Sequence, residues 1–472
     1  MRTKERYIWM SILIVIVVIF SSLYFTKTMS SSRTSNMFLY GRIFEQTLKL
    51  VRNNYVDSKK TLPKRLYFGA IEGLLKSLGD QHTSFLSPKV WKELRESLDG
   101  KFEGLGIHIG IRNDMLTVIA PIEGSPAWKE GLQPNDVIYK IEGKSTKGIT
   151  LTEAVTKLRG KRGTKVKITI LRQGASKPFD VTITRDVIRI PSIRYDMINS
   201  RTGYIRIIQF QRNVVVDMRK ALKRLYKRGM KKLVLDLRNN PGGYLGKAAD
   251  IVDLFISKGR IVSSKGRISI DDQVFYAHYF NTACKRTPVI VLINQGSASA
   301  SEIVAGAIQD TNRGVVIGVK SYGKGSVQRV IQLASGDEEF GLKLTTAYYY
   351  TAAGRLIHKK GIKPDFKVKT KDYTLEQILA QRIVAKRKLV KKYLRRIRKP
   401  KKYQIIAFHK RLVKQNLPVP LRLLAKMIYN EVHKTEMPPV YNLDWDIQLQ
   451  KALKIFRTRP ELFRRRVVAY EK

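Results

Sequence analysis

The stretch Asn294-Gln-Gly-Ser-Ala-Ser-Ala-Ser-Glu302 follows an apolar run, Val289 to Ile293, and opens into an apolar-periodic helix from about Ser299 to Gln309. Small residues let a backbone turn tightly. A serine at a helix start also sits where unpaired N–H groups and the positive end of the helix dipole favour an oxyanion. The same position suits an ordinary N-cap, but three serines alternating with alanines exceed what a cap requires. A serine nucleophile needs a base. The six histidines (His82, His108, His278, His358, His409 and His433) fall in no arrangement that ties one to this turn, and the Gly-x-Ser-x-Gly elbow is absent.

Lysine is the other base on offer. Lys324 stands between Gly323 and Gly325, just past the next apolar run, Val315 to Val319. A free amine near pKa ~10.4 is a poor base at neutral pH, but burial beside a hydroxyl with no counter-ion lowers it. Gln328 is placed to orient the amine; a lone loop cation is the plainer reading of Lys324. A third element, Leu235-Asp-Leu-Arg-Asn-Asn-Pro-Gly-Gly243, ends another apolar run in a glycine-rich loop. Its N–H groups can supply a second oxyanion donor beside that of Ala300.

The elements that must hold these residues follow from periodicity. Apolar residues recur at helical spacing between Tyr40 and Glu96, as in Ile43, Leu48 and Val51. From Lys101 to Asp186 short β-like runs (Leu116 to Ala120, Val137 to Ile141, Val166 to Leu171, Phe179 to Thr184) alternate with Gly and Pro, predicting a compact β-rich module. Past Ile188, buried-strand runs alternate with helices, which predicts an α/β layer. From Lys371 onward 27 Lys and Arg face 8 Asp and Glu in a stretch that reads as a separate, mostly helical appendage.

Composition narrows the setting. The 472 residues are 43% hydrophobic and 27% charged, which excludes disordered, collagen-like and disulfide-stapled chains and predicts two to four globular domains. One cysteine, Cys284, excludes an intramolecular disulfide and a Cys-based zinc cluster. No metal-ligand cluster or cofactor motif is visible. The formal net charge of +52 points to anionic neighbours: nucleic acid, acidic lipid or an acidic wall polymer. Arg2, Lys4 and Arg6 precede the apolar run Ile8 to Phe25, which is just long enough to span a bilayer with the rest of the chain translocated. A cleaved signal peptide ending before the Ser-rich stretch Ser30 to Ser35 and a buried soluble helix are the alternatives. Translocation sets nucleic acid aside and favours lipid or wall polymer as the anionic partner.

At these residues the chain resembles the carboxyl-terminal processing, or tail-specific, proteases, a bacterial and plastid family of Ser/Lys peptidases. The resemblance covers about residues 40 to 370. Five motifs in order carry it: Asp80-Gln-His-Thr-Ser-Phe-Leu-Ser-Pro88, Leu237-Arg-Asn-Asn-Pro-Gly-Gly243, the Ser-Ala-Ser-Ala-Ser-Glu turn, Gly323-Lys-Gly325 with Gln328, and Leu344-Thr-Thr-Ala-Tyr-Tyr-Tyr-Thr351 followed by Gly361-Ile-Lys-Pro-Asp365. Gln295, where the family commonly has Glu, and the basic His358-Lys-Lys360 are departures outside the dyad. The resemblance implies Ser299 as nucleophile, Lys324 as base, Gln328 as third residue and the N–H groups of Gly242 and Ala300 as oxyanion donors. It makes the β-rich module a PDZ domain, with Gly104, Leu105, Gly106 and Ile107 binding a substrate's terminal carboxylate; an ordinary β-turn is the plainer reading of that loop.

The expectation is therefore a multi-domain α+β protein. It places a membrane anchor or signal in 1–35, a helical segment in 36–99, an inserted PDZ domain in 100–187, an α/β peptidase core in 188–372 and a basic, mostly helical extension in 373–472. Its expected activity is serine endopeptidase cleavage of polypeptides with free, unstructured C-termini, outside the cytoplasm on the inner membrane of a bacterial envelope. A homo-oligomer stays open. The alternative is a non-catalytic PDZ scaffold binding C-terminal peptides or an anionic envelope polymer.

Overall fold

The computed structural model describes residues 36–112, 114–122, 124–333, 338–369, 373–433 and 439–463, together with residues 15, 16 and 19. Most of the expected anchor, Ile8 to Phe25, lies outside the described residues. No helix among those described is long and apolar enough to cross a membrane. The chain divides into two compact units, Met1–Phe85 with Gly341–Leu344, and Leu86–Phe340 with Thr345–Lys472. In the first, residues 36–54 and Pro63–Lys76 are helical, and the Phe68 and Phe85 rings pack with centroids 5.1 Å apart.

The second unit opens with the helix Pro88–Asp99 and then forms the β-rich module. Strands Ile107–Arg112, Met115–Pro121, Val137–Ile141, Lys165–Leu171 and Phe179–Thr184 pair antiparallel in that order. Val166, Ile168 and Ile170 alternate inward on one of them, as a period of two requires. They pack with Leu116, Ile138, Ile183 and the helix Leu151–Leu158 into a core of their own. Ile107–Arg112 is the last strand of that sheet order, with a partner on one side only.

The α/β layer is a six-stranded sheet ordered Ile193–Asn199, Thr202–Ile207, Lys232–Asp236, Val289–Ile293, Val315–Gly318 and Phe366–Lys367. The first pair is antiparallel and the rest are parallel. All five side chains of Val289–Ile293 are buried, the pattern of a central parallel strand covered on both faces. On one face lie the helices Val214–Lys227, Leu245–Asp253 and Ala300–Asp310, sharing a core with Leu233, Leu235, Val291 and Val316.

The other face corrects the expectation of a separate appendage. Helix Ile447–Thr458 packs Leu449, Ala452, Ile455 and Phe456 onto Tyr204, Val234, Ile290, Leu292, Val315 and Ile317. A parallel sheet with one bare apolar face would leave those six side chains in water, so the chain's end supplies the missing layer. Residues 373–433 differ: their helices enclose their own core of Val384, Tyr393, Phe408, Leu412, Leu424 and Ile428.

Candidate active site

Strand Val289–Ile293 and its neighbour Lys232–Asp236 end side by side, so the loops that follow them meet. They are laced together by polar side chains. Asn294 Nδ2 donates to Asn239 Oδ1 at 2.8 Å, and the Asn239 N–H donates to Asn294 Oδ1 at 2.8 Å. Ser297 Oγ donates to the Leu237 carbonyl at 2.8 Å, and Ser301 Oγ to the Asn240 carbonyl at 3.0 Å. Two of the three serines are thus fully buried ties between the loops.

Ser299 is different. It precedes the helix Ala300–Asp310 at φ 54° and ψ −115°, with no side-chain cap on the helix. That region is costly for a residue with a Cβ, on the order of 1–3 kcal/mol, and such strain persists only where the surroundings enforce it. Gly242 packs closely against it: a Cβ on Gly242, itself at φ 105°, would lie 2.8 Å from the Ser299 Cβ and 3.1 Å from the Ala300 nitrogen. The phenol of Tyr349 lies beside the Ser299 side chain, and burial pushes it up to about 12.

The loop after Val315–Gly318 brings Lys324 into the same frame through Glu302, which is wholly buried one turn into the helix. Its Oε2 accepts the N–H of Ser299 at 2.8 Å and the N–H of Lys324 at 2.9 Å. Its Oε1 accepts Ser321 Oγ at 2.6 Å and the Gly323 N–H at 2.7 Å. Burial pushes the carboxyl above its ordinary range, while these four donors pull it back without cancelling the burial. With donors on both oxygens, the geometry is that of the ionised carboxylate. Gly325 cannot carry a side chain, since its Cβ would lie 2.1 Å from the His358 nitrogen. Its carbonyl accepts the Tyr349 N–H at 2.7 Å, so the tyrosine that meets Ser299 is anchored on the lysine's loop. Gln328 is held by its Nε2, which donates to Ser326 Oγ at 2.9 Å and Thr345 Oγ1 at 3.1 Å.

Gly242 does not present its N–H freely, because that group donates to Asn240 Oδ1 at 2.9 Å. Among the described residues nothing accepts from the N–H of Ala300 or of Gly243. Glu302 and Tyr349 were the residues that sequence reasoning passed over. Ser299 and Glu302 have the Ser-x-x-Glu spacing of a capping box, a signal that was available. The only hint of Tyr349 was its place in the Tyr348-Tyr349-Tyr350 run.

In the β-rich module the carbonyls of Leu105 and Gly106 are pinned, the first by the Ala127 N–H at 3.0 Å and the second by the Ile122 N–H at 2.8 Å and Ser125 Oγ at 3.0 Å. The N–H groups of Leu105 and Gly106 make no hydrogen bond among the described residues. Gly104 and Ile107 flank them, each at the end of a strand, next to the open edge of Ile107–Arg112. Two adjacent unpaired N–H groups at an open sheet edge are what capture of a peptide end requires.

A strand-end serine on a helix N-terminus in an α/β layer, beside a module with an open strand edge, defines the class of PDZ-bearing serine peptidases. The profile of Peptidase family S41 matches residues 201–368 and that of the PDZ domain residues 117–172. A carboxy-terminal-processing protease of Bartonella bacilliformis is 44% identical over 335 residues, covering 70% of this chain and 74% of that protein. The carboxy-terminal processing protease CtpA of Bacillus subtilis is 36% identical over 323 residues, covering 68% of each. Among solved structures, a photosystem II D1 C-terminal processing protease is 28% identical, covering 69% of this chain and 92% of that one with a TM-score of 0.40. The chain belongs to Peptidase family S41, in the company of the carboxy-terminal processing proteases.

Proposed function

We propose that this chain is a serine endopeptidase that recognises the free C-terminus of a polypeptide and cuts upstream of it, outside the cytoplasm. Ser299 Oγ attacks the scissile carbonyl while Lys324, as the neutral amine, takes its proton. The tetrahedral oxyanion is held by the Ala300 N–H and by the glycine turn, where the Gly243 N–H is unengaged and the Gly242 N–H is released if Asn240 turns away. The ammonium of Lys324 then protonates the leaving amine, and water repeats the sequence on the ester. Gln328 orients the amine.

The observation that carries this reading is the strained Ser299 backbone, tied to the Lys324 loop through one buried carboxylate. Strain of this kind serves presentation of a hydroxyl better than it serves stability. The loop Gly104–Ile107 reads the terminal carboxylate, with the peptide added as a strand along Ile107–Arg112. The domain limits 36–99, 100–187 and 188–372, an N-terminal anchor in the inner membrane and an anionic envelope surface facing the basic helices of 373–433 complete the reading.

One peptide with free and amidated C-termini tests it. Amidation removes a charge-assisted hydrogen bond of about 1.5–3 kcal/mol, so kcat/KM should fall roughly tenfold to hundredfold. Ser299→Ala should abolish turnover of both forms. Binding without turnover by the wild-type chain would favour the scaffold reading, and equal cleavage of both forms would mean that the PDZ loop does not read chain ends.

A further inference from the structure

The last described segment of the chain does more than cover the sheet. Arg238 opens the turn Leu237–Gly243, and its guanidinium is 15% exposed between two carboxylates. Asp236, on the preceding strand, takes its Nε at 2.9 and 3.0 Å and its Nη2 at 2.6 Å, and also receives the Tyr204 hydroxyl at 2.6 Å. Asp446, more than two hundred residues away, takes Nη1 at 2.8 Å and Nη2 at 2.5 Å, with Gln448 Oε1 accepting Nη1 at 3.1 Å. The segment is stitched down elsewhere too. The Tyr441 hydroxyl donates to the Met197 carbonyl at 2.9 Å, Gln448 Nε2 to the Val368 carbonyl at 2.9 Å, and Lys232 Nζ to the Phe456 carbonyl at 3.0 Å.

From Arg238 the path to the nucleophile is short. The next residue, Asn239, holds Asn294 through two hydrogen bonds; the carbonyl of Asn240 accepts from the Ala298 N–H and from Ser301; Gly242 abuts Ser299. A forked contact fixes a guanidinium in plane and direction, which a single point charge would not.

We propose that residues 441–463, beyond the stretch matched by the S41 profile, are a working part of the peptidase, with Asp446 a positioning residue that fixes Arg238 and so the glycine turn against Ser299. The proposal rests on the reading of Ser299 as nucleophile. Without Asp446 the Arg238–Asp236 pair still neutralises itself, so the chain folds, but the turn loses one of the two carboxylates that orient it.

Asp446 also N-caps its own helix, accepting the Leu449 N–H at 2.9 Å. Asparagine caps nearly as well as aspartate, so Asp446→Asn keeps the cap and removes the charge pair, whereas Asp446→Ala removes both. In the full-length chain, assayed on a peptide substrate well below the unfolding temperature, both variants should lower kcat about tenfold or more with KM changed less than twofold, since small misplacements of an oxyanion site act on the transition state. Asp446→Ala should melt lower than Asp446→Asn, and added formate should restore part of its kcat in a saturable way. Wild-type kcat in Asp446→Asn, or a loss matched by its unfolded fraction, would overturn the proposal while leaving Ser299 intact as nucleophile. Activity in Ser299→Ala would instead overturn the nucleophile reading, and this proposal with it.

Discussion

The backbone N–H of Ser299 and the backbone N–H of Lys324 end on the same oxygen atom, Oε2 of Glu302, at 2.8 and 2.9 Å. The two loops leave different strands and are twenty-five residues apart in sequence, yet one buried carboxylate sets the distance between them. A shared acceptor of this kind positions two main chains without using the side chain of either residue.

Glu302→Gln should therefore be far more damaging than its shape implies. The amide is the same size, but its NH2 must face two of the four donors that now converge on the carboxylate. Facing donors cost on the order of 1–3 kcal/mol each. Activity should fall about hundredfold while far-UV circular dichroism is retained. Near-normal kcat in this variant would show that the loops are held by other contacts.

Lys324→Arg should be as inactive as Lys324→Ala, because guanidinium keeps its proton throughout the accessible range. Wild-type activity should rise toward alkaline pH as the amine becomes neutral. Gln328→Ala should cost less than either, since an orienting group moves no proton. Substantial turnover by the arginine variant would remove Lys324 from the role of base.

Tyr349→Phe deletes one hydroxyl and leaves the ring in the core. With its phenol pushed up to about 12, Tyr349 keeps its proton wherever the enzyme works, so it does not compete as a base. Its hydroxyl lies beside the Ser299 side chain, within reach to steady that hydroxyl as it reacts, and losing it should lower kcat about threefold to tenfold, the worth of one ordinary hydrogen bond, with KM unchanged. A change confined to KM would place Tyr349 in substrate binding instead.

Leu449→Ala and Ile455→Ala test whether the chain's end belongs to the core. Both side chains are buried against the sheet, so each should cost about 2–5 kcal/mol in denaturant unfolding, while Lys451→Ala on the same helix should change stability by less than about 0.5 kcal/mol. If all three behave alike, the helix is not packed on the sheet in solution.

Asp446 gives a pH test with a defined sign. Burial pushes its carboxyl up, but the hydrogen bonds and charge of Arg238 outweigh burial and hold it below the ordinary carboxylate range. A depressed folded value means that the contribution is present above the unfolded value of about 3.9 and is lost as pH falls through the folded one. The stability difference between wild type and Asp446→Asn should be constant from neutral pH to about pH 4 and shrink below it. A difference that grows on acidification would reverse the assignment.

Much of the frame was legible in the sequence because strongly apolar runs speak for themselves. The runs at Val137, Phe179 and Val289 match strands Val137–Ile141, Phe179–Thr184 and Val289–Ile293, and the helix predicted from Ser299 to Gln309 runs Ala300–Asp310. Composition could not sort the three serines, because a serine that ties two loops and one that does not are the same residue until the carbonyls of Leu237 and Asn240 are seen to claim Ser297 and Ser301. The tail was misread because its cations hide a narrow stripe: Leu449, Ala452, Ile455 and Phe456 recur at helical spacing among Lys451, Lys454 and Arg457. Net charge describes the solvent side of such a helix and says nothing about the side that is buried.

The strand Ile107–Arg112 ends its sheet with a row of backbone groups facing outward. An edge that welcomes a guest peptide also welcomes the same edge of another copy, which is how sheet proteins coagulate. Here the formal charge of +52 opposes that encounter, since two such molecules repel over the Debye length, about 8 Å at physiological salt. Concentrated salt should therefore act on this protein as a precipitant through this exposed strand, and peptides that add to the strand should keep it in solution.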